Sequence, residues 1–177
     1  MGTTAAGVVV TADLVLAFNV GDSRVYAVGP GGVRQPSTDD RLAGDELPAG
    51  LVTHALGGSD ELTAVYPHLV TSPLSEDTSY LICTDGLTDP VPAGVLNEVL
   101  REHDDGRAVF ELWKAAVEAG GPDNITIALV RAAPGLPPCS SPSRPDAGRS
   151  LSPAHRHVRQ ISTTRGPGRQ DDLLGLG

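Results

Sequence analysis

Ser79-Tyr80-Leu81-Ile82-Cys83-Thr84-Asp85-Gly86-Leu87-Thr88-Asp89 decides the reading of this 177-residue chain. The apolar run from Tyr80 to Cys83 reads as a short buried strand, and Thr84-Asp85-Gly86 ends it with a turn signal. A strand that stops at Asp-Gly sets its carboxylate at the edge of the sheet, facing away from the core. A second acid, Asp89, follows four residues later. If the chain turns helically after Gly86, that spacing puts Asp85 and Asp89 on the same side. Two acids so placed repel each other unless something positive sits between them, and a divalent cation does this well. The plainer reading is an Asp-Gly turn followed by a capping Asp ahead of Pro90.

Two other stretches repeat the pattern of an Asp at a strand–turn junction. Upstream, Asn19-Val20-Gly21-Asp22-Ser23-Arg24-Val25-Tyr26 reads as a hairpin turn between the runs Leu14 to Val20 and Arg24 to Val28. Downstream, Gly121-Pro122-Asp123-Asn124 precedes a strand over Ile125 to Val130. Asp85 lies 63 residues after Asp22, and Asp123 lies 38 after Asp85. The three meet only if three strand ends converge at one edge of a sheet or sandwich. A set of carboxylate oxygens favours hard cations, Mg or Mn, over Zn. Two such ions about 3.5–4 Å apart can bridge a water, lower its pKa and hold a phosphoryl group. The chain carries no Ser–His–Asp or Cys–His arrangement and no Gly-x-x-x-x-Gly-Lys phosphate loop.

Composition narrows the class. Hydrophobic residues make up 40% of the chain but aromatics only 3%, so the core is built from Val, Leu and Ala. Residues 134–177 hold six Arg against three acidic residues, a charge of +3. Residues 1–133 hold seven basic against nineteen acidic residues, a charge of −12. A body that acidic is a poor partner for nucleic acid. No apolar run is long enough to span a membrane, and no signal peptide is legible. Two cysteines, Cys83 and Cys139, do not make a disulfide framework. A cytoplasmic setting is the expectation.

Along the chain, Gly2 to Val10 reads as a strand, Val33 as a short run, and Leu62 to Val70 as the strand before the central one. A helix is expected from about Ala93. A second, over Arg107 to Ala119, has Asp105 as its N-cap and a stripe of Val109, Leu112, Trp113, Ala116 and Val117. His54 and His68 read as surface residues. From Pro134 the chain is rich in Pro, Ser and Arg, which predicts a disordered tail over 134–177, His155-Arg156-His157 included.

Three Asp junctions in this order resemble the later half of the metal-dependent serine/threonine protein phosphatases, the PPM or type 2C family. The resemblance runs over roughly Gly2 to Arg131. It implies an α+β fold, part of a four-layer α–β–β–α sandwich with mainly antiparallel sheets, and a domain over 1–133. It implies that Asp85 and Asp123 are ligands of a binuclear centre and that Asp22 shares a further metal site with Asp85. Asp89 would be an accessory acid, with Gly86 and Asn124 in supporting positions. Beyond the metal ligands no catalytic group is implied. The cofactors would be two or three Mn or Mg ions and the reaction hydrolysis of phosphoserine or phosphothreonine on proteins. The family's first Asp-Gly motif, its phosphate-binding arginine, and its first strands and helix pair have no counterpart here. The chain therefore reads as truncated, Met1 as an internal methionine, and the centre as incomplete. The segment Pro36 to Gly50 resembles the start of the family's mobile flap, shortened here.

A second reading is an inactive phosphatase-like remnant that serves as a binding or regulatory module. A third is an unrelated carboxylate-rich metal-binding or structural protein. The expected partners are phosphorylated proteins, with no nucleic acid and no membrane. Self-association through exposed sheet edges stays open.

Overall fold

The computed structural model describes residues 2–42, 51–58 and 64–131, and the backbone of residues 158–163. The chain opens with β1 (Gly2–Thr3), β2 (Ala5–Val10), β3 (Leu14–Val20), β4 (Arg24–Gly29) and β5 (Gly32–Arg34). Next come β6 (Leu56–Gly57), β7 (His68–Pro73) and β8 (Ser79–Cys83), then α1 (Asp85–Thr88), α2 (Ala93–Glu102) and α3 (Asp105–Glu118). β9 (Ile125–Arg131) and β10 (Val158–Thr163) complete the set.

Two antiparallel sheets face each other, one of five strands in the order β10-β9-β8-β4-β5 and one of three in the order β2-β3-β7. Alternation drives this arrangement: along β3, Val15, Ala17 and Asn19 turn inward and are buried. Val15 and Ala17 meet Val25, Ala27 and Tyr80 of the larger sheet in a core between the sheets. Every second residue of β9 (Ile125, Ile127, Leu129) points the other way and packs with Leu87, Leu96, Leu100, Val109 and Leu112 of the helices. The layers are thus helices, five-stranded sheet and three-stranded sheet, an α+β arrangement as expected. On the outer side of the small sheet Val9, Leu14 and Leu69 stay more than a third exposed.

Several expectations shift. The strand expected at Leu62 to Val70 is instead β7, because pairing with β3 holds only from Asn19↔His68 to Leu14↔Pro73. Tyr66, outside that ladder, is 79% exposed, and Leu62 lies outside the described residues. The N-cap of α3 is Asp104, not Asp105. Asp104 has extended backbone, and its Oδ1 accepts the Arg107 N–H at 2.9 Å. Asp105 enters the first helical turn, where it pairs with Arg131 at 2.8 Å. Within the segment expected to be disordered, residues 158–163 form β10, which pairs with β9 from Val158↔Val130 to Thr163↔Ile125. The rest of that segment, Cys139 and the His155-Arg156-His157 run included, lies outside the described residues, as do positions 43–50. Among the described residues no helix is long and apolar enough to cross a membrane.

Candidate metal centre

The three Asp junctions sit at one end of the sandwich. Asp22 follows β3, in the turn to β4. That turn needs glycine at position 21: its φ is +94°, and a Cβ there would lie 2.4 Å from Thr4 Cγ2. Asp85 is the first residue of α1, and Asp89 caps its C-terminus, the Asp89 N–H donating to the Asp85 carbonyl at 2.8 Å. Asp123 lies just ahead of β9, and its Oδ1 accepts the Asn124 N–H at 2.7 Å.

Backbone contact brings α1 and the Asp123 turn together. Gly86 lies so close to that turn that a Cβ on it would stand 2.2 Å from the Asn124 carbonyl oxygen. Thr84 fastens the junction. Its Oγ1 donates to the Asn124 carbonyl at 3.2 Å and accepts the Thr126 N–H at 3.0 Å, while its own N–H donates to Thr126 O at 3.1 Å. The Asn124 carbonyl is thus the acceptor that ties this turn to Thr84.

Arg41, which the sequence reading did not single out, fills the space between the acids. Its Nε donates to Asp22 Oδ2 at 2.7 Å, its Nη2 to Asp85 Oδ2 at 2.9 Å and its Nη1 to Asp89 Oδ1 at 2.9 Å. The hydrogen bond to Asp89 raises the guanidinium pKa against the effect of burial, with Asp22 adding to the rise, so the group stays charged. Burial raises the pKa of the Asp85 carboxyl first. Asp22, Asp123 and Asp89 add repulsion, and Arg41 opposes it. The charge of Asp123 therefore reaches Asp85, although Asp123 makes none of the Arg41 contacts.

The residues before Arg41 anchor it. Asp39 takes Arg24 Nε at 2.7 Å. Asp40 Oδ2 accepts the Gly21 N–H at 2.8 Å, and its Oδ1 lies 2.8 Å from His68 Nε2. His68, expected at the surface, is 37% exposed there and pairs with Asp40. Asn19, fully buried, holds the same segment: its Nδ2 donates to Thr38 O at 2.6 Å and its Oδ1 accepts the Thr38 N–H at 3.2 Å.

In donor chemistry, Asp22, Asp85, Asp89 and Asp123 suit a hard divalent cation. Their spacing suits something else. Among the described residues no group of three or more His, Cys, Asp or Glu side chains could hold a metal ion as arranged. Arg41 Nη2 also donates to Asp89 Oδ2 at 3.1 Å, so Asp85 and Asp89 share one nitrogen of the guanidinium while Asp22 meets another. As it stands, the set fits Arg41 and not a metal.

The fold matches that of the PP2C-type serine/threonine phosphatases. The chain is 29% identical over 143 residues to the serine/threonine protein phosphatase PstP of Mycobacterium tuberculosis, covering 73% of this chain and 27% of PstP. It is 30% identical over 148 residues to the serine/threonine phosphatase Stp of Listeria welshimeri, covering 73% of this chain and 56% of Stp. The catalytic domain of PstP in complex with two manganese ions superposes with a TM-score of 0.63 at 30% identity, over 75% of this chain and 59% of that one. No protein-family model matches the chain. By sequence and by fold the chain is a relative of the bacterial serine/threonine protein phosphatases, and it spans between a quarter and about half of the length of these curated relatives.

Proposed function

We propose that this chain supplies metal-binding carboxylates of a divalent-metal-dependent phosphatase acting on phosphoserine and phosphothreonine of proteins. The observation that carries the reading is the convergence of Asp22, from the β3–β4 turn, and of Asp85 and Asp89, from α1, on one cation at the end of the sandwich. In this reading Asp85 and Asp123 are ligands of a binuclear centre, Asp22 shares a further ion with Asp85, and Asp89 is an accessory acid. When bound, a pair of Mn or Mg ions supplies a water of lowered pKa and neutralises phosphoryl oxygens. The rest is the work of the chain itself. Thr84 and Gly86 hold the Asp85 and Asp123 turns in contact, and Asn19 and Gly21 fix the Asp22 turn. The manganese ions of the PstP structure support the cofactor class, and Cys83, a buried free thiol, supports a cytoplasmic setting.

Hydrolysis of a phosphothreonine peptide by the 177-residue chain, with and without millimolar Mn, tests this. The expected result is Mn-dependent turnover that falls at least about a hundredfold in Asp85→Ala. Mn binding without turnover would replace the enzyme reading with that of a phosphatase-like binding module. Turnover unchanged in Asp85→Ala would refute the ligand assignment.

A further inference from the structure

We propose that the cavity walled by β4, β5 and α2 is a binding site for a compact uncharged molecule: a ring-sized apolar body carrying one amide or ketone carbonyl. None of Asp22, Asp85, Asp89, Asp123 and Arg41 lines this cavity. It is separate from the acidic cluster and does not rest on the phosphatase reading.

Three observations carry it. The first is size. The cavity has a volume of about 210 Å³. An apolar cavity of about 150 Å³ takes benzene, and drug-sized ligands need about 300–1,000 Å³. A single ring with a small head group lies between these limits. The second is the division of the walls. Val33, Val91 and Leu96 supply apolar surface, and all three belong to the core beneath the helices, which holds them in place. Arg24, Tyr26, Gln35 and Asn97 supply polar groups. The third is hydrogen-bonding capacity that the fold leaves unspent. A guanidinium has five N–H groups. Arg24 spends one on Asp39 from Nε and one from Nη2, and a third, from Nη1, on the Tyr26 hydroxyl oxygen at 3.2 Å. Two remain. Tyr26 accepts in that contact, so its own proton is unspent among the described residues. Gln35 uses both amide protons, on Ser37 O at 3.2 Å and Asp39 Oδ1 at 2.9 Å, and keeps its Oε1. Spare donors therefore outnumber spare acceptors on Arg24, Tyr26 and Gln35. A carbonyl oxygen answers the donors, and an amide N–H answers Gln35.

Charge decides against an anion. Asp39 pairs with Arg24 and cancels it locally, and the chain as a whole carries −9. A carboxylate would give up its hydration and meet that field with no uncompensated cation in return. The donors themselves are secure. Burial lowers the pKa of Arg24, but its hydrogen bonds to Asp39 and Tyr26 outweigh this and hold it above its ordinary value. Burial raises the pKa of Tyr26, so its hydroxyl keeps its proton. Thr88 also lines the cavity. It and Trp113 are the described residues whose buried side-chain polar atom lacks a partner. Hydrogen bonding is thus incomplete at this wall, as is common where a protein meets something else.

The test is titration of benzamide into the 177-residue chain, followed by amide chemical shifts and by calorimetry, with Ala93→Leu and Tyr26→Phe beside wild type. Saturable binding with a Kd below about 10 mM is expected, with the shifts centred on β4, β5 and α2. Ala93 is the first residue of α2 and lines the cavity. Leucine there takes up cavity space and should weaken binding about tenfold or more. Tyr26→Phe keeps the ring and loses the hydroxyl, and affinity should fall about three- to tenfold. Benzoate, the same ring with an anionic head, should bind at least about tenfold more weakly than benzamide. Absence of saturable binding would mean that the cavity takes water only, and overturns the proposal. So does unchanged affinity in either folded variant, a set of shifts centred elsewhere, or benzoate bound as tightly as benzamide. Melting curves show whether each variant is folded. If Ala93→Leu is not, Tyr26→Phe decides. The titration contains neither metal nor phosphopeptide, so its outcome is independent of the hydrolysis test above.

Discussion

Gly86→Ala is the most informative single-atom change in this molecule. The added Cβ would lie 2.2 Å from the Asn124 carbonyl oxygen, 2.9 Å from Asn124 C and 3.4 Å from Asp123 C. All three are backbone atoms, so no side-chain rotation relieves the overlap. Restoring ordinary contact needs α1 and the Asp123 turn to part by about 1 Å, in an interior that resists such shifts. Overpacking of this kind costs about 1–3 kcal/mol, and the rigid obstacle puts this case near the upper end. At about 2–4 °C per kcal/mol for a chain of this size, the melting midpoint should drop by about 6–12 °C. The same displacement carries Asp85 away from Asp123, so Mn binding should weaken as well. Gly94→Ala is the control. Gly94 lies in α2 with no heavy atom within 4 Å of its would-be Cβ, and alanine there should be neutral or stabilising by up to about 1 kcal/mol. Melting followed by circular dichroism reads both. The reasoning fails if Gly86→Ala melts within about 2 °C of wild type, or if Gly94→Ala falls as far.

Two further outcomes can be measured on the same chain. Burial alone would raise the pKa of the Asp40 carboxyl, but the His68 hydrogen bond and the Gly21 N–H outweigh it and hold the group below its ordinary 3.8. The folded chain therefore binds that proton more weakly than the unfolded chain. The stabilisation is complete above the ordinary carboxylate range and is lost as pH falls through the depressed folded value. Asp40→Asn should cost about 2 kcal/mol near neutral pH, shrinking as pH drops below about 4; a gap that stays constant in urea titrations from pH 7 to pH 3 would contradict this. Removing residues 158–177 strips β10 from β9 and bares a row of backbone N–H and C=O groups. Faster hydrogen exchange along β9 and concentration-dependent association in sedimentation are expected, whereas unchanged exchange would show that β10 contributes nothing to that edge.

Local pattern carried the sequence reading where local pattern sets the structure. Leu14 to Val20 alternates and is β3 at its expected bounds. Asp85 and Asp89, four apart on α1, do face one cation. Where tertiary pairing sets the answer, the reading drifted. β7 took its bounds from β3, which lies some fifty residues away in sequence. Arg41 was the larger omission. It sits 19 residues from Asp22, 44 from Asp85 and 48 from Asp89, and nothing in a stretch of polar residues marks one arginine as special. The available signal was electrostatic: an acidic cluster predicted to need a cation could have prompted a search for a basic side chain as well as a metal. Asn19 and Thr84 were hidden for a related reason. Their roles are hydrogen bonds to backbone groups 19 and 40 residues away, and side-chain chemistry in isolation does not show which backbone it will meet.

Asp39, Asp40 and Arg41 are neighbours in sequence and diverge in space. Asp39 pairs with Arg24 on β4, Asp40 with the Gly21 amide and His68 on β7, and Arg41 with the acid cluster. Alternating direction in an extended segment lets three adjacent side chains fasten three different elements. Two of the three attachments do not involve the Arg41 side chain. Without the Arg41 side chain, Asp39 and Asp40 would still hold the segment. Asp22 and Asp85 are positioned by glycine-dependent turns that do not rest on the Arg41 side chain, so the acids keep their places whether or not the guanidinium lies between them.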